Sequence, residues 1–151
     1  MSTTKSVSVT LKSVIDNLSD TGLPTNDRET SESVAVGTLT ASANGAVIAF
    51  SERGEGGETR TKIEIIGKRI RVTRHGAIES NMLFAEGISH ASVYGAPPYT
   101  FDASLFTRKI RGEIGDEGGR LDIFYDMEIG GAKKSVKMQI SCEADNGNQR
   151  V

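Results

Sequence analysis

The sequence is poor in residues that cross-link or stiffen small proteins. It has one cysteine, three prolines and no tryptophan, and aromatic residues make up only 5% of its 151 positions. A single cysteine, Cys142, excludes an intrachain disulfide, so the fold has to depend on a hydrophobic core. With 36% apolar residues, a chain of this length can bury such a core. We therefore expect one domain over residues 1–151.

A charge excess of one sign and long apolar runs are also absent. Eighteen Lys and Arg against twenty Asp and Glu leave a net charge of −2, and the two signs are interspersed. Without a basic patch, the sequence predicts no binding to nucleic acid or to an anionic membrane surface. No apolar run is long enough to span a bilayer, and the first residues lack the apolar segment of a signal peptide. These absences, with the lone cysteine, predict a cytoplasmic protein.

The sequence does contain seventeen glycines and many apolar residues that alternate with polar ones. This period of two is typical of strands with one buried face, and the glycines favour tight turns between them. The predicted strands cover residues 7–15, 28–42, 45–52, 59–65, 70–74, 80–86, 88–94, 99–114, 121–129 and 136–142. A change of phase near Leu105 and Phe106 indicates a β-bulge.

Three segments carry little to bury. Pro, Gly, Asn and Asp in residues 16–27 predict a long surface loop, and residues 1–6 and 145–151 are expected to be flexible tails.

The strand pattern favours an all-β fold. No window has a sustained apolar period of 3.6 residues, which argues against a parallel α/β arrangement. Hairpins between sequence neighbours indicate an antiparallel meander, and closing it removes the exposed sheet edges. We predict a single closed or nearly closed antiparallel barrel of about eight strands, a size that can hold one small ligand.

The order and spacing of the segments GTLTASANGAVIAFSE, RVTRHGAIESNMLFAEG, VYGAPPYTFDASLFTRKI and GGRLDIFYDMEIG resemble the YwiB-like bacterial proteins. The resemblance covers residues 7–143 and implies a lipocalin-like or calycin-like barrel with no assigned activity. It transfers no functional residue. The matching positions are Gly37, Glu52, Thr73, Arg74, Gly76, Phe84, Gly87, Tyr94, Pro98, Thr107, Gly119 and Tyr125.

Arg74 is the most informative single residue. It is in phase with Ile70 and Val72, so its guanidinium should point into the barrel or one of its mouths. One interpretation is an anchor for an anionic ligand, because the guanidinium is a planar fork of donors. The other is a plug that stacks on Tyr125 or Phe84 and donates hydrogen bonds to loop carbonyls.

Three further polar residues share the phase of apolar neighbours. Tyr94, Arg108 and Tyr125 are each expected to bring a polar group into the lumen, where Phe84 would add an aromatic wall. The alternative is that these residues only satisfy one another in the core.

No catalytic motif, metal-ligand spacing or cofactor-binding motif occurs in the sequence. The leading hypothesis is a non-enzymatic barrel that binds a small molecule at Arg74, Tyr94, Arg108, Tyr125 and Phe84. A module that forms homodimers or contacts a protein through its outer face is the main alternative. An enzyme, built from Arg74, His75 and a distant acid, is the third.

Overall fold

Ten antiparallel strands form a closed barrel in the computed structural model, which describes residues 3–144 of the chain. The strands are β1 (Thr3–Leu18), β2 (Pro24–Ser42), β3 (Gly45–Gly54), β4 (Gly57–Ile66), β5 (Arg69–Gly76), β6 (Glu79–Phe84), β7 (Ser89–Ala96), β8 (Tyr99–Gly115), β9 (Gly118–Ile129) and β10 (Ala132–Ala144). Each strand pairs with its neighbours in sequence, and β1 pairs with β10 to close the ring. Within residues 3–144 there is no helix long and apolar enough to cross a membrane.

The prediction of an all-β, closed antiparallel barrel is confirmed, and the ring contains ten strands, one for each predicted strand segment, where a barrel of about eight was expected. Three of the ten strands, β5, β6 and β7, have only eight, six and eight residues. Each is nevertheless a separate arm of a hairpin with its own turn, so each counts in the ring.

The long loop predicted over residues 16–27 is wrong. β1 continues to Leu18 and β2 begins at Pro24, which leaves only residues 19–23 as a connection. The polar residues of this segment pair across the two strands: Asp16 lies opposite Arg28, whose Nε donates a 2.7 Å hydrogen bond to Asp16 Oδ1. Such cross-strand pairs stabilise a strand that has little apolar surface to bury.

The tail predicted over residues 1–6 also needs correction. Thr3–Ser6 are part of β1 and pair with residues 38–41 of β2. Residues 1, 2 and 145–151 lie outside the described residues.

The core lies inside the ring and follows the alternation of the sequence. One face of each strand except β7 supplies it with buried apolar side chains, and the largest fully buried ones are Phe84, Leu39, Ile48, Ile63, Ile70, Leu105, Ile123, Met138 and Ile140. Full burial of such a side chain stabilises the fold by about 1.5–3 kcal/mol.

The predicted bulge is present two residues beyond its expected position. The register between β8 and β9 shifts between Thr107 and Lys109. Before the shift the odd-numbered residues Leu105 and Thr107 are buried, and after it the even-numbered Ile114 is.

The glycine at which β2 and β3 begin to pair tests this packing. A Cβ at Gly37 would lie 2.8 Å from Phe50 Cβ and closer still to the Ala49 carbonyl oxygen, on backbone that cannot yield. Gly37→Ala should therefore lower the free energy of unfolding by about 1–3 kcal/mol in urea denaturation. Gly115→Ala is the matched control, because nothing lies within 4 Å of a Cβ there, and it should change stability by less than about 0.5 kcal/mol. Equal effects of the two substitutions would contradict this packing.

Candidate functional site

The barrel interior opens into a cavity of about 610 Å³ at the end formed by connections 19–23, 55–56, 77–78, 97–98 and 130–131. We call it the Arg74 cavity. Its wall carries the apolar side chains Leu11, Ile15, Met82, Met127, Val136 and Met138. Arg74, Tyr94 and Tyr125 bring polar groups to the same space. A mostly apolar wall with a few convergent polar groups is the usual form of a small-molecule site.

Arg74 has an unsatisfied donor in this cavity. Strand β5 turns it to the same side as the buried Ile70 and Val72, as predicted. Its Nε is buried and has no hydrogen-bond partner. Within residues 3–144, no carboxylate lies within 4.0 Å of its guanidinium nitrogens. A buried donor without an acceptor is costly, so this half-buried arginine makes the cavity the candidate binding site.

Two hydroxyl groups in the interior also lack hydrogen-bond partners. Ser80 Oγ and Thr107 Oγ1 are buried and have no hydrogen-bond partner among the described residues. Ser80 lies directly opposite Arg74 on one side and Tyr94 on the other. Thr107 lies opposite Tyr125. The polar groups of the interior are therefore gathered around Arg74 and the two tyrosines.

Tyr125 contributes a hydroxyl that stays protonated. Its side chain is only 5% exposed, and this burial raises its pKa well above the usual value, although the nearby Arg74 guanidinium lowers it and Tyr94 raises it further. The Phe84 ring supports the Tyr125 ring, with centroids 4.7 Å apart and planes tilted by 53°. At neutral pH Tyr125 can thus donate a hydrogen bond to an acceptor beside Arg74.

The five predicted site residues divide into three groups. Arg74, Tyr94 and Tyr125 line the cavity together. Phe84 is fully buried in the core behind Tyr125, so it is a support and not part of the cavity lining.

The expected lumen position of Arg108 is wrong. Its side chain lies on the outer surface, where Nε donates to Asp126 Oδ1 at 3.1 Å and an Nη donates to Ser135 Oγ at 3.0 Å. Arg108 shares the outward phase of Phe106, which is 41% exposed, and the bulge between Thr107 and Lys109 separates it from the inward phase of Ile110.

The sequence-based prediction did not include the charged residues at the mouth of the cavity. Glu52, in the lining, accepts a 3.3 Å hydrogen bond from Thr61 Oγ1. Lys134 donates to Asn17 Oδ1, and Asn17 Nδ2 donates to Glu29 Oε2 at 2.7 Å. The phase of Lys134 with Val136 could have indicated its inward position. Glu29 lies in the predicted strand 28–42, but its contact with Asn17 could not be predicted while residues 16–27 were assigned to a loop.

His75 does not join this site. It is exposed, and its Nδ1 lies 2.7 Å from Glu79 Oε2, which also accepts a 2.9 Å hydrogen bond from the Gly76 amide. These two contacts, the Gly76 amide first, lower the pKa of Glu79. The arrangement of Arg74 and His75 that an enzyme hypothesis requires is therefore not formed. No group of three His, Cys, Asp or Glu within residues 3–144 is placed to hold a metal.

A second cavity, of about 1050 Å³, lies at the opposite end of the barrel. Residues of the turns and strand ends at 42–45, 67–70, 85–86 and 112–116 form most of its lining. Of the three residues with a buried polar atom that lacks a partner, Arg74 lines the first cavity and none lines the second. The Arg74 cavity is therefore the better candidate site.

Comparison with known proteins agrees with this architecture. The profile of a family described as a domain of unknown function (DUF1934) matches residues 15–140. This chain belongs to the DUF1934 family. The predicted resemblance to YwiB-like proteins is confirmed as well: the chain is 26% identical over 87 residues to the uncharacterized beta-barrel protein YwiB of Bacillus subtilis strain 168. That match covers 58% of this chain and 61% of YwiB, less than two thirds of its length.

The crystal structure of the ywiB protein from Bacillus subtilis has the same fold. It matches with a TM-score of 0.80 at 23% identity and covers 93% of this chain and 92% of that one. The barrel fold is thus common to both proteins.

Tyr125→Phe tests the burial of the Tyr125 hydroxyl. In a spectrophotometric titration of the folded protein, the wild-type signal minus that of the variant should show a phenol that ionises well above pH 10. The unfolded chain releases this proton near pH 10 and the folded chain keeps it. The free energy of unfolding should therefore fall more steeply above pH 10 in the wild type than in the variant. A difference signal centred near pH 10 would show that the hydroxyl is in contact with water.

Proposed function

We propose that this DUF1934 protein is a non-enzymatic binding barrel that holds a small organic anion in the Arg74 cavity. One observation carries the proposal: Arg74 Nε is buried in the interior without a hydrogen-bond partner. A carboxylate would supply the missing acceptor, because its two oxygens match the parallel donors of a guanidinium.

The rest of the cavity supports an anion with an apolar body. The hydroxyl groups of Tyr94 and Tyr125 are further donors beside the guanidinium. Three methionines, Met82, Met127 and Met138, line the wall, and their flexible side chains adapt to ligands of different shape. The cavity volume of about 610 Å³ is in the range of about 300–1,000 Å³ that small-molecule sites have.

We also propose a cytoplasmic location for this protein. Cys142 is buried in the last strand, and burial raises the pKa of its thiol. A buried thiol of this kind stays protonated and unreactive. A fold that contains no disulfide is typical of a reducing compartment such as the cytoplasm.

Binding can be measured by isothermal titration calorimetry with octanoate, benzoate and 4-phenylbutyrate, each paired with its neutral primary amide. At least one carboxylate should bind the full chain, and its amide at least tenfold more weakly. Arg74→Met should weaken carboxylate binding about ten- to hundredfold, the equivalent of a charged hydrogen bond of about 1.5–3 kcal/mol. Arg60→Met, which removes an exposed guanidinium from β4, is the control and should bind as the wild type does. Equal binding of acids and amides would refute the proposal.

The stability of Arg74→Met separates an anchor from a plug. If Arg74 serves a ligand, Arg74→Met removes an unpartnered donor from the ligand-free protein. The substitution should then raise the free energy of unfolding by about 1–3 kcal/mol. If Arg74 closes the barrel by contacts of its own, the same substitution destabilises the protein. Urea denaturation of both proteins without added carboxylate distinguishes the two, and a loss above about 1 kcal/mol would favour the plug.

A further inference from the structure

One stretch of sheet edge beside the Arg74 cavity has no partner strand. β2 pairs with β1 from Pro24 to Ala41, but it pairs with β3 only over residues 37–42. Within residues 3–144, the backbone of residues 24–36 therefore has free hydrogen-bonding groups on the side that faces away from β1. A free edge of this kind is a template for another extended chain.

The free edge ends at a cross-strand row that contains Arg74. Gly37, Phe50, Thr61 and Arg74 lie directly opposite one another on β2, β3, β4 and β5. Arg74 is thus in the same cross-strand row as the residue at which β2 and β3 separate. Beyond this row, residues 29–33 of β2 and residues 52–57 of the β3–β4 hairpin border the same cavity. We call the space between them the β2 slot.

Negative charge predominates in the β2 slot. Four carboxylates line it, from Glu29, Glu32, Glu52 and Glu55, against the single cation of Arg53. The other cation at this mouth, Lys134, is bound to Asn17. An occupant that complements the slot has positive charge along its length and a negative charge at the end that reaches Arg74.

We infer that the anion of the Arg74 cavity is the C-terminal carboxylate of a short basic peptide, which adds to the free edge of β2 as an extended strand. The inference rests on the function proposed above and names the ligand class for the same site. Main-chain hydrogen bonds to β2 would provide affinity, the carboxylate would pair with Arg74, and the glutamates would select basic side chains.

A second copy of this chain fits the edge less well. Residues 27–36 contain Asp27, Glu29 and Glu32 against Arg28, so two such edges repel each other. A basic peptide is attracted by the same residues.

Fluorescence anisotropy can test the inference with a fluorescein-labelled peptide, Gly-Lys-Val-Lys-Thr-Val. Its free acid should bind the full chain at least tenfold more tightly than its C-terminal amide, and at least tenfold more tightly than a peptide with Glu in place of Lys. Methylation of every second backbone nitrogen keeps both charges but removes donors to β2, and should also weaken binding at least tenfold. Arg74→Met should remove the difference between acid and amide.

Charge reversal in the slot gives a matched pair of protein variants. The double variant Glu32→Lys with Glu55→Lys should weaken binding of the free-acid peptide at least tenfold. Its binding of octanoate should be at least as tight as that of the wild type. Glu58→Lys with Glu113→Lys changes the same number of exposed charges outside the slot and should leave peptide binding unchanged.

The outcomes separate this inference from the proposed function. If octanoate binding depends on Arg74 but the peptide acid binds no better than its amide, the peptide inference fails and the anion site stands. If neither probe depends on Arg74, both fail. If the free protein sediments as a dimer that Glu32→Lys with Glu55→Lys changes, the edge belongs to a second copy and the peptide inference is overturned.

Discussion

Closure of the ring through β1 is the constraint on which the rest of the structure depends. β1 pairs with β10 over residues 7–17 and with β2 over residues 3–18, so the first strand of the meander also pairs with the last. In a closed barrel every strand turns one face to a shared interior, and the phase of a side chain decides whether it is buried. Arg74 follows Ile70 and Val72 in this phase, which is why a charged residue lies inside.

The same closure divides the interior into two parts with different properties. Aliphatic side chains such as Ile48, Ile63 and Ile140 fill the central part to complete burial. Toward the Arg74 cavity, inward positions are taken by Ser80 and Tyr125 among other polar residues. Buried donors without partners reduce the stability of a small barrel. Their concentration at one end is the arrangement expected when an interior is kept for a ligand at some cost to the fold.

Closure is also uneven along the barrel. β2 is a long strand of 19 residues, whereas β3 has ten and turns back at Gly54. Residues 24–36 of β2, which precede Gly37, have no neighbouring strand on one side. The two strands separate at Gly37 and Phe50, although β3 continues to Gly54 in pairing with β4, and this separation opens the wall beside the polar part of the interior.

The sequence-based predictions failed where partners are distant in the chain. Residues 16–27 have the composition of a loop, but Asp16 and Asn17 lie opposite Arg28 and Asp27 and extend the hairpin by polar contacts. Arg108 was placed in the lumen by its spacing from Ile110, but the bulge between the two leaves Arg108 on the outward phase of Phe106, beside Asp126. Neither the cross-strand pair nor the position of the bulge is encoded in the alternation of one strand.

The residue order was sufficient for the β class, for most hairpins and for the inward direction of Arg74. These features depend on neighbours one or two positions away along a strand, and alternation records them directly. The gathering of Arg74, Ser80, Tyr94 and Tyr125, and the exclusion of Phe84 and Arg108 from their group, required the closed ring. Register and curvature set the distances between strands, and these arise only when all ten strands pair.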